Sequence, residues 1–77
     1  MESDEIIKIL KKAFNPYRCE FYFPDFGSEM SFRVFNDKNE TIITKKEETG
    51  WRFSHTELDS IIRRTKKEIK DMGYVID

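Results

Sequence analysis

The first fourteen residues carry apolar side chains at helical spacing. These positions fall on one helical face: Ile6, Ile7, Leu10, Ala13 and Phe14. Ser3 is a candidate N-cap, and Asp4 and Glu5 follow it where a helix N-terminus favours negative charge. Pro16 ends the segment, because the residue before a proline avoids the α region. The pattern predicts a first helix over residues 3–14.

From Tyr17 onward the apolar period changes from a helical spacing to an alternation of two. This alternation predicts a first strand over residues 17–23 and a second over residues 30–35. Residues 24–28 separate them and include a proline and a glycine, which are typical of turns. Both strands are therefore expected to have one buried and one solvent-facing side.

A second turn at residues 36–39 leads to a third predicted strand over residues 40–45, which contains Ile42 and Ile43. Residues 45–48 contain no apolar side chain, and we interpret them as a solvated stretch of mixed charge. Residues 49–53 fit either a bulged continuation of the third strand or a short fourth strand.

The strongest local signal is the start of a second helix. Ser54 and Glu57 fit a capping box, in which each side chain satisfies a backbone donor of the first turn. The apolar positions continue on one helical face: Leu58, Ile61, Ile62, Thr65, Ile69 and Met72. Gly73 suits the left-handed position after a helix, with Tyr74 placed to contact Ile69 in a Schellman arrangement. A second helix over residues 54–72 is predicted.

The resulting element order is α-β-β-β-α, which is typical of an α+β protein. We expect a single domain over residues 1–77, built as a two-layer sandwich. Its three antiparallel strands form one layer, and both helices pack on one face of that sheet. The short segment at residues 49–53 would add a fourth strand under one of its two interpretations.

Charge selects the register between the first two strands. One alternative would place Arg18 opposite Arg33, and like charges opposed in a sheet are destabilising. The other pairs Phe23 with Met30 and places Glu20 opposite Arg33. We predict the second register, with Arg18 beside an aromatic side chain and a six-residue loop after Phe23.

Composition favours a small globular protein. The 77 residues, 9.3 kDa in mass, include seven Phe, three Tyr and one Trp, so a few rings can fill a core. The charged residues are 14 basic and 15 acidic, for a net charge of −1. No apolar run is long enough for a transmembrane span or a signal peptide. A cytoplasmic protein without a membrane partner is the expectation.

Candidate catalytic groups are few. His55, the chain's one histidine, follows the predicted cap and has no nucleophile or acid placed beside it by the pattern. Cys19, the one cysteine, alternates inward and is expected to be a small buried hydrophobe. It cannot form an internal disulfide or, with one histidine, a zinc site. The sequence therefore predicts no enzyme activity, metal, cofactor or small-molecule substrate.

A basic cluster on the second helix is the main indication of nucleic-acid binding. Four of its residues are candidate phosphate contacts: Arg63, Arg64, Lys67 and Lys70. In that hypothesis Tyr22 and Phe35 would stack on bases, and Arg18, Arg33 and Arg63 would contact phosphates. However, residues 54–77 contain five acidic and five basic residues, with the cations late in the helix as its dipole prefers. Nucleic-acid binding is therefore the alternative to the favoured function.

Double-stranded-RNA-binding domains share the α-β-β-β-α order but differ in chemistry. They carry a lysine-rich motif at the start of the second helix, where this chain has Ser54-His55-Thr56-Glu57-Leu58-Asp59.

The chain resembles a family of short bacterial proteins of unknown function. The resemblance rests on the pattern A-F-x-P-x-x-C from Ala13 to Cys19, on the hairpin that follows it, and on Thr49-Gly50 before a capped helix. The resemblance covers most of residues 6–72. It implies the same element order and a bacterial or phage origin, and it implies no activity.

The sheet face without helices is the predicted interaction surface. Its side chains would be Arg18, Glu20, Tyr22, Ser31, Arg33 and Phe35. Tyr, Arg and Phe are enriched at protein interfaces, so Arg18, Tyr22, Arg33 and Phe35 are the candidate partner contacts. The sequence thus favours a non-enzymatic protein-interaction module. Its partner would be another protein or a second copy in a homodimer, and a phage-type inhibitor of a host protein is one form of it.

Overall fold

The computed structural model describes residues 2–25, 29–48 and 53–76. The elements in chain order are α1 (Ser3–Phe14), β1 (Arg18–Asp25), β2 (Glu29–Phe35), β3 (Thr41–Glu48) and α2 (His55–Asp71). The predicted order and the α+β class are confirmed. Residues 49–52, on which a fourth strand would depend, lie outside the described residues.

The first helix has its predicted bounds but a different N-cap. Glu2 occupies the N-cap position, with extended backbone angles and no side-chain cap hydrogen bond. The prediction that Ser3 is the cap is therefore wrong, and Ser3 is instead the first helical residue. Asp4 and Glu5 in the first turn, with lysines in the last, still match the helix dipole.

The second helix has the predicted signals at both ends. Ser54 Oγ accepts a hydrogen bond from the backbone N–H of Glu57 at 3.4 Å, which is one of the two hydrogen bonds of the predicted capping box. After the helix, Gly73 adopts a φ of +98°. The N–H groups of Gly73 and Tyr74 donate to the carbonyls of Lys70 and Ile69, at 2.9 and 3.3 Å, which completes the Schellman motif. Among the described residues, no helix is long and apolar enough to cross a membrane.

The sheet has the order β1-β2-β3, with both pairs antiparallel. Glu20 lies opposite Arg33 and Phe21 opposite Phe32, so the predicted register is confirmed along the first part of β1. The predicted six-residue loop is wrong, because β1 continues to Asp25, which pairs with Glu29. Residues 23 and 24 together face one residue of β2, and such a bulge accommodates a proline.

The third strand is longer than predicted and extends to Glu48. Lys45 and Glu47 are half-buried within it, whereas Lys46 and Glu48 are exposed. The interpretation of residues 45–48 as a solvated stretch is therefore wrong for Lys45 and Glu47. These residues alternate between the two faces of the sheet although none of them is apolar.

Both helices pack on the same face of the sheet, which we call the inner face. The buried core draws on every element, and its members are Ile6, Leu10, Phe14, Cys19, Met30, Phe32, Val34, Ile42, Phe53, Leu58, Ile61, Ile69 and Ile76. Phe32 lies near its centre, with ring centroids 5.9 Å from Phe14 and 6.4 Å from Phe21. On the opposite side, the outer face, the described residues form no helix.

Candidate interaction surface on the outer face

The alternation of β2 shows how the chain divides its side chains between the two faces. Phe32 and Val34 are buried beneath the helices, whereas Ser31 is half-buried and Arg33 exposed on the outer face. The register places Glu20 and Tyr22 of β1 on that same outer face. The face that the sequence predicted as open is therefore the one that the helices leave uncovered.

Phe35 differs from its predicted role. It belongs to the outer face by register, opposite Arg18, yet only 8% of it is exposed. The Arg18 guanidinium carbon lies 4.2 Å from the centroid of the Phe35 ring, a cation–π geometry that covers the ring. The expectation that Phe35 offers its ring to a partner or to a stacked base is wrong.

Arg18 is held in this position by partners within the chain. Its Nη1 donates to Glu20 Oε2 at 2.7 Å, and its Nε and Nη2 donate to Asn39 Oδ1 at 3.2 and 3.0 Å. Asn39 adopts a φ of +64°, which Asn tolerates better than most residues. Asn36 orders that turn, since its Oδ1 accepts from two backbone N–H groups at 2.9 Å each. Arg18 is thus part of a structural unit rather than a free binding group.

Among the described residues, Tyr22 is the exposed aromatic side chain of the outer face. It is 66% exposed and stands between two shallow depressions of about 210 and 290 Å³, whose linings both include Tyr22 and Ser31. The smaller depression is also lined by Arg33, and the larger by Lys46. A side chain with this exposure between two hollows is accessible to a partner from above and from both sides.

Arg33 lies in the middle of the outer face and retains an uncompensated charge. Its cross-strand neighbour Glu20 directs its carboxylate to Arg18 instead. Lys46 is paired, since its Nζ lies 2.9 Å from Glu29 Oε1, and this hydrogen bond raises the pKa of Lys46. Within the part of the chain that the structure describes, Arg33 makes no hydrogen bond or ion pair. It is available for an anionic group of a partner.

The basic cluster of α2 lies on the other side of the molecule. The candidate phosphate contacts Arg63, Arg64, Lys67 and Lys70 are exposed on the helix that covers the inner face. Arg64 Nη2 lies 3.6 Å from Glu47 Oε1 of β3, and Lys45 Nζ lies 2.9 Å from Glu68 Oε2. Arg64 and Glu68 lie four residues apart on the helix, and each pairs with a residue of β3. The sheet separates these cations from Tyr22, so they do not form one surface with it.

The two candidate catalytic side chains have structural surroundings. His55 is exposed, and its Nε2 lies 3.1 Å from Glu5 Oε1, so it links the first turns of α2 and α1. Cys19 is 8% exposed within the core. Burial raises the pKa of Cys19 to about 11, against the opposing effect of the Lys11 and Arg18 charges. Its thiol is therefore protonated at neutral pH and a weak nucleophile there.

We expect Cys19 to react slowly with a thiol reagent in native buffer and rapidly in denaturant. The rate in native buffer should keep rising with pH up to about 11, because the thiolate is the reactive form. The free energy of unfolding should also depend on pH through the ionisation of this thiol. An unfolded thiol ionises near its ordinary pKa, so the free energy of unfolding falls as pH rises from there through about 11. Rapid labelling at pH 7 without denaturant would contradict the inward orientation of Cys19.

Sequence reasoning missed two residues that border the outer face. Glu29 and Lys46 both line the larger depression, but the sequence pattern predicts a loop at Glu29 and a solvated stretch at Lys46. The signal that could have found them is the equal spacing of Ser31, Glu29 and Arg33 along one strand. Extending both strands by this alternation brings Lys46 opposite Ser31, beside Glu29.

The segment from Ala13 to Cys19, which carries the resemblance to short bacterial proteins, forms the end of α1 and the start of β1. Its Phe14 and Cys19 are buried in the core, so the pattern is explained by folding. The family and the origin that it implies stay predictions. Comparison with protein-family models, curated proteins and solved structures found no match for this chain.

Proposed function

We propose that this protein is a small non-enzymatic interaction module of the cytoplasm that binds a protein partner through its outer face. The observation that supports this proposal is the pairing of an exposed ring with an uncompensated cation on one side of the sheet. Tyr22 and Arg33 lie on neighbouring strands and line the same depression. Tyrosine and arginine are among the residues that most often dominate binding energy at protein interfaces.

The geometry also favours a particular kind of partner surface. The free guanidinium of Arg33 suits a carboxylate, which it can bind through two parallel hydrogen bonds. Tyr22 offers apolar area together with a hydroxyl that remains hydrogen-bonded at a wet interface. The partner is therefore a protein surface that presents an acidic side chain beside an apolar one.

The nucleic-acid alternative has weaker support. Phe35 is covered by Arg18 and cannot stack on a base without displacing it. The cations of α2 lie on the far side of the sheet from Tyr22. A nucleic-acid strand bound both to Tyr22 and to the cations of α2 would have to pass around the sheet. The two cations at the contact between α2 and β3, Arg64 and Lys45, already have carboxylate partners.

A capture experiment tests the proposal. Immobilised wild-type protein is compared with the Tyr22→Ala/Arg33→Ala variant in a bacterial lysate, and the affinity of each retained protein is then measured in purified form. We expect the double variant to lose at least about tenfold in affinity for the true partner, because both central contacts are removed. Its urea midpoint should match wild type, since both side chains are exposed.

Val75→Ser is the matched control. Val75 is 83% exposed, and its neighbours Tyr74 and Ile76 pack with the core on the inner face. This variant should bind as the wild type does. If the Tyr22→Ala/Arg33→Ala variant bound the partner as tightly as the wild type does, the proposal would be contradicted. Salt-dependent binding of oligonucleotides that Lys67→Ala weakens would instead support the nucleic-acid alternative.

A further inference from the structure

The two edges of the sheet differ in their protection against pairing with another strand. At β3, Val34 faces Ile43 and Phe35 faces Thr41, so Ile42 is an extra residue that bends the edge. The edge strand β3 also carries Lys45 and Lys46. Bulges and lysines of this kind are the usual means by which proteins prevent edge-to-edge association.

The β1 edge is regular where the β3 edge is bent. From Arg18 to Tyr22 it pairs with β2 without a break in register. β1 is an edge strand of the sheet. Within the described ranges, no backbone hydrogen bond is made at the edge of β1 that points away from β2. This five-residue stretch contains no lysine or proline. It is a template for another extended strand.

The charges of β1 select which strand it can accept. If a second copy pairs antiparallel, directly opposed residues must point to the same face, so the two-fold axis passes through a residue. An axis at Glu20 opposes two glutamates, which is repulsive. An axis at Phe21 opposes Glu20 with Tyr22 and brings the bulge around Pro24 into the ladder. An axis at Cys19 opposes Arg18 with Glu20, twice by symmetry. The paired stretch is then Arg18 to Glu20 of each chain, because β1 begins at Arg18.

We propose that two copies of this chain associate through antiparallel pairing of their β1 edges, centred on Cys19. The product is a six-stranded sheet with all four helices on one side. The ion pair between Arg18 and Glu20, 2.7 Å within one chain, then joins its symmetry mate in a row of alternating charges. The Cys19 side chain at the axis points to the inner face, so it does not stand between the two strands. This pairing uses the strand edge, so it does not depend on the outer-face contacts of Tyr22 and Arg33.

Opposite charge reversals test both the edge and its register. The two variants are Arg18→Glu, whose strand is then acidic at both positions, and Glu20→Arg, whose strand is basic at both. We expect wild type to sediment with twice its 9.3 kDa mass at high concentration, and each variant alone to dimerise about tenfold more weakly or worse. An equimolar mixture of the two variants should restore a heterodimer, visible by native mass spectrometry.

Controls separate association from folding. Lys46→Glu reverses one charge at the opposite edge and should leave the dimer unchanged. Glu20→Arg removes one partner of Arg18 but retains its two hydrogen bonds to Asn39. If Arg18→Glu fails to fold by circular dichroism, the comparison of Glu20→Arg with the neutral Glu20→Gln still decides the matter, since only the former opposes like charges. Wild type that remains monomeric near millimolar concentration overturns the proposal, as does a dimer that survives Glu20→Arg or a folded mixture that stays monomeric.

Discussion

We expect Phe32→Ala to lower the free energy of unfolding by about 3–5 kcal/mol, the usual cost of truncating a buried phenylalanine. The ring is 1% exposed and lies between Phe14 and Phe21, so the cavity would be enclosed by aromatic neighbours that cannot easily collapse into it. A chain of this length has a total stability of about 4–12 kcal/mol. We therefore expect the variant to be partly unfolded at 37 °C without denaturant. A urea titration followed by circular dichroism measures the loss in free energy of unfolding.

Tyr22→Ala provides the matched control. Tyr22 is an aromatic residue on the strand adjacent to Phe32, but it points to the outer face and is 66% exposed. Its truncation should change the free energy of unfolding by no more than about 0.5 kcal/mol. If the two variants ranked in the opposite order, the assignment of inner and outer faces would be wrong, together with the interaction surface derived from it.

The register between β1 and β2 was predictable from sequence because few arrangements satisfy two constraints at once. Alternation requires Phe21 to meet an inward residue, and charge requires Arg33 to avoid Arg18. Only the register with Glu20 opposite Arg33 met both, and it is the one observed. The Ser54 cap and the Gly73 terminus were predictable for a similar reason, since both are local and need no knowledge of distant residues.

The contacts that define the outer face depend on residues far apart in sequence. Arg18 was predicted beside Phe35, but its attachment to Asn39 depends on a left-handed residue in a turn that periodicity does not describe. The length of β3 was missed because its last residues are charged. They form a strand nonetheless because they pair with β2, and Lys45 also reaches Glu68 of α2. Patterns of apolar residues report which side of an element is buried, and they miss charged side chains that are held by partners.

Phe35→Ala is expected to lower the free energy of unfolding by about 2–4 kcal/mol, although Phe35 belongs to the face without helices. Its ring is as buried as Cys19 of the core, and Arg18 covers it under the restraint of Glu20 and Asn39. The alanine would expose the sheet beneath and leave the guanidinium stacked on nothing. Urea midpoints of Phe35→Ala and Tyr22→Ala, measured side by side, should therefore differ clearly although both residues are outward-facing aromatics.

A double-mutant cycle with Arg18→Met identifies the origin of that loss. Methionine retains part of the apolar cover of arginine but removes its charge, so the coupling between positions 18 and 35 should be about 0.5–1 kcal/mol if the cation–π contact stabilises the ring. A loss below about 1 kcal/mol for Phe35→Ala, with no coupling, would mean that the ring is as accessible as Tyr22. Arg18 and Phe35 would then return to the set of candidate partner contacts, and the binding surface would extend along the whole of β1 rather than centre on Tyr22 and Arg33.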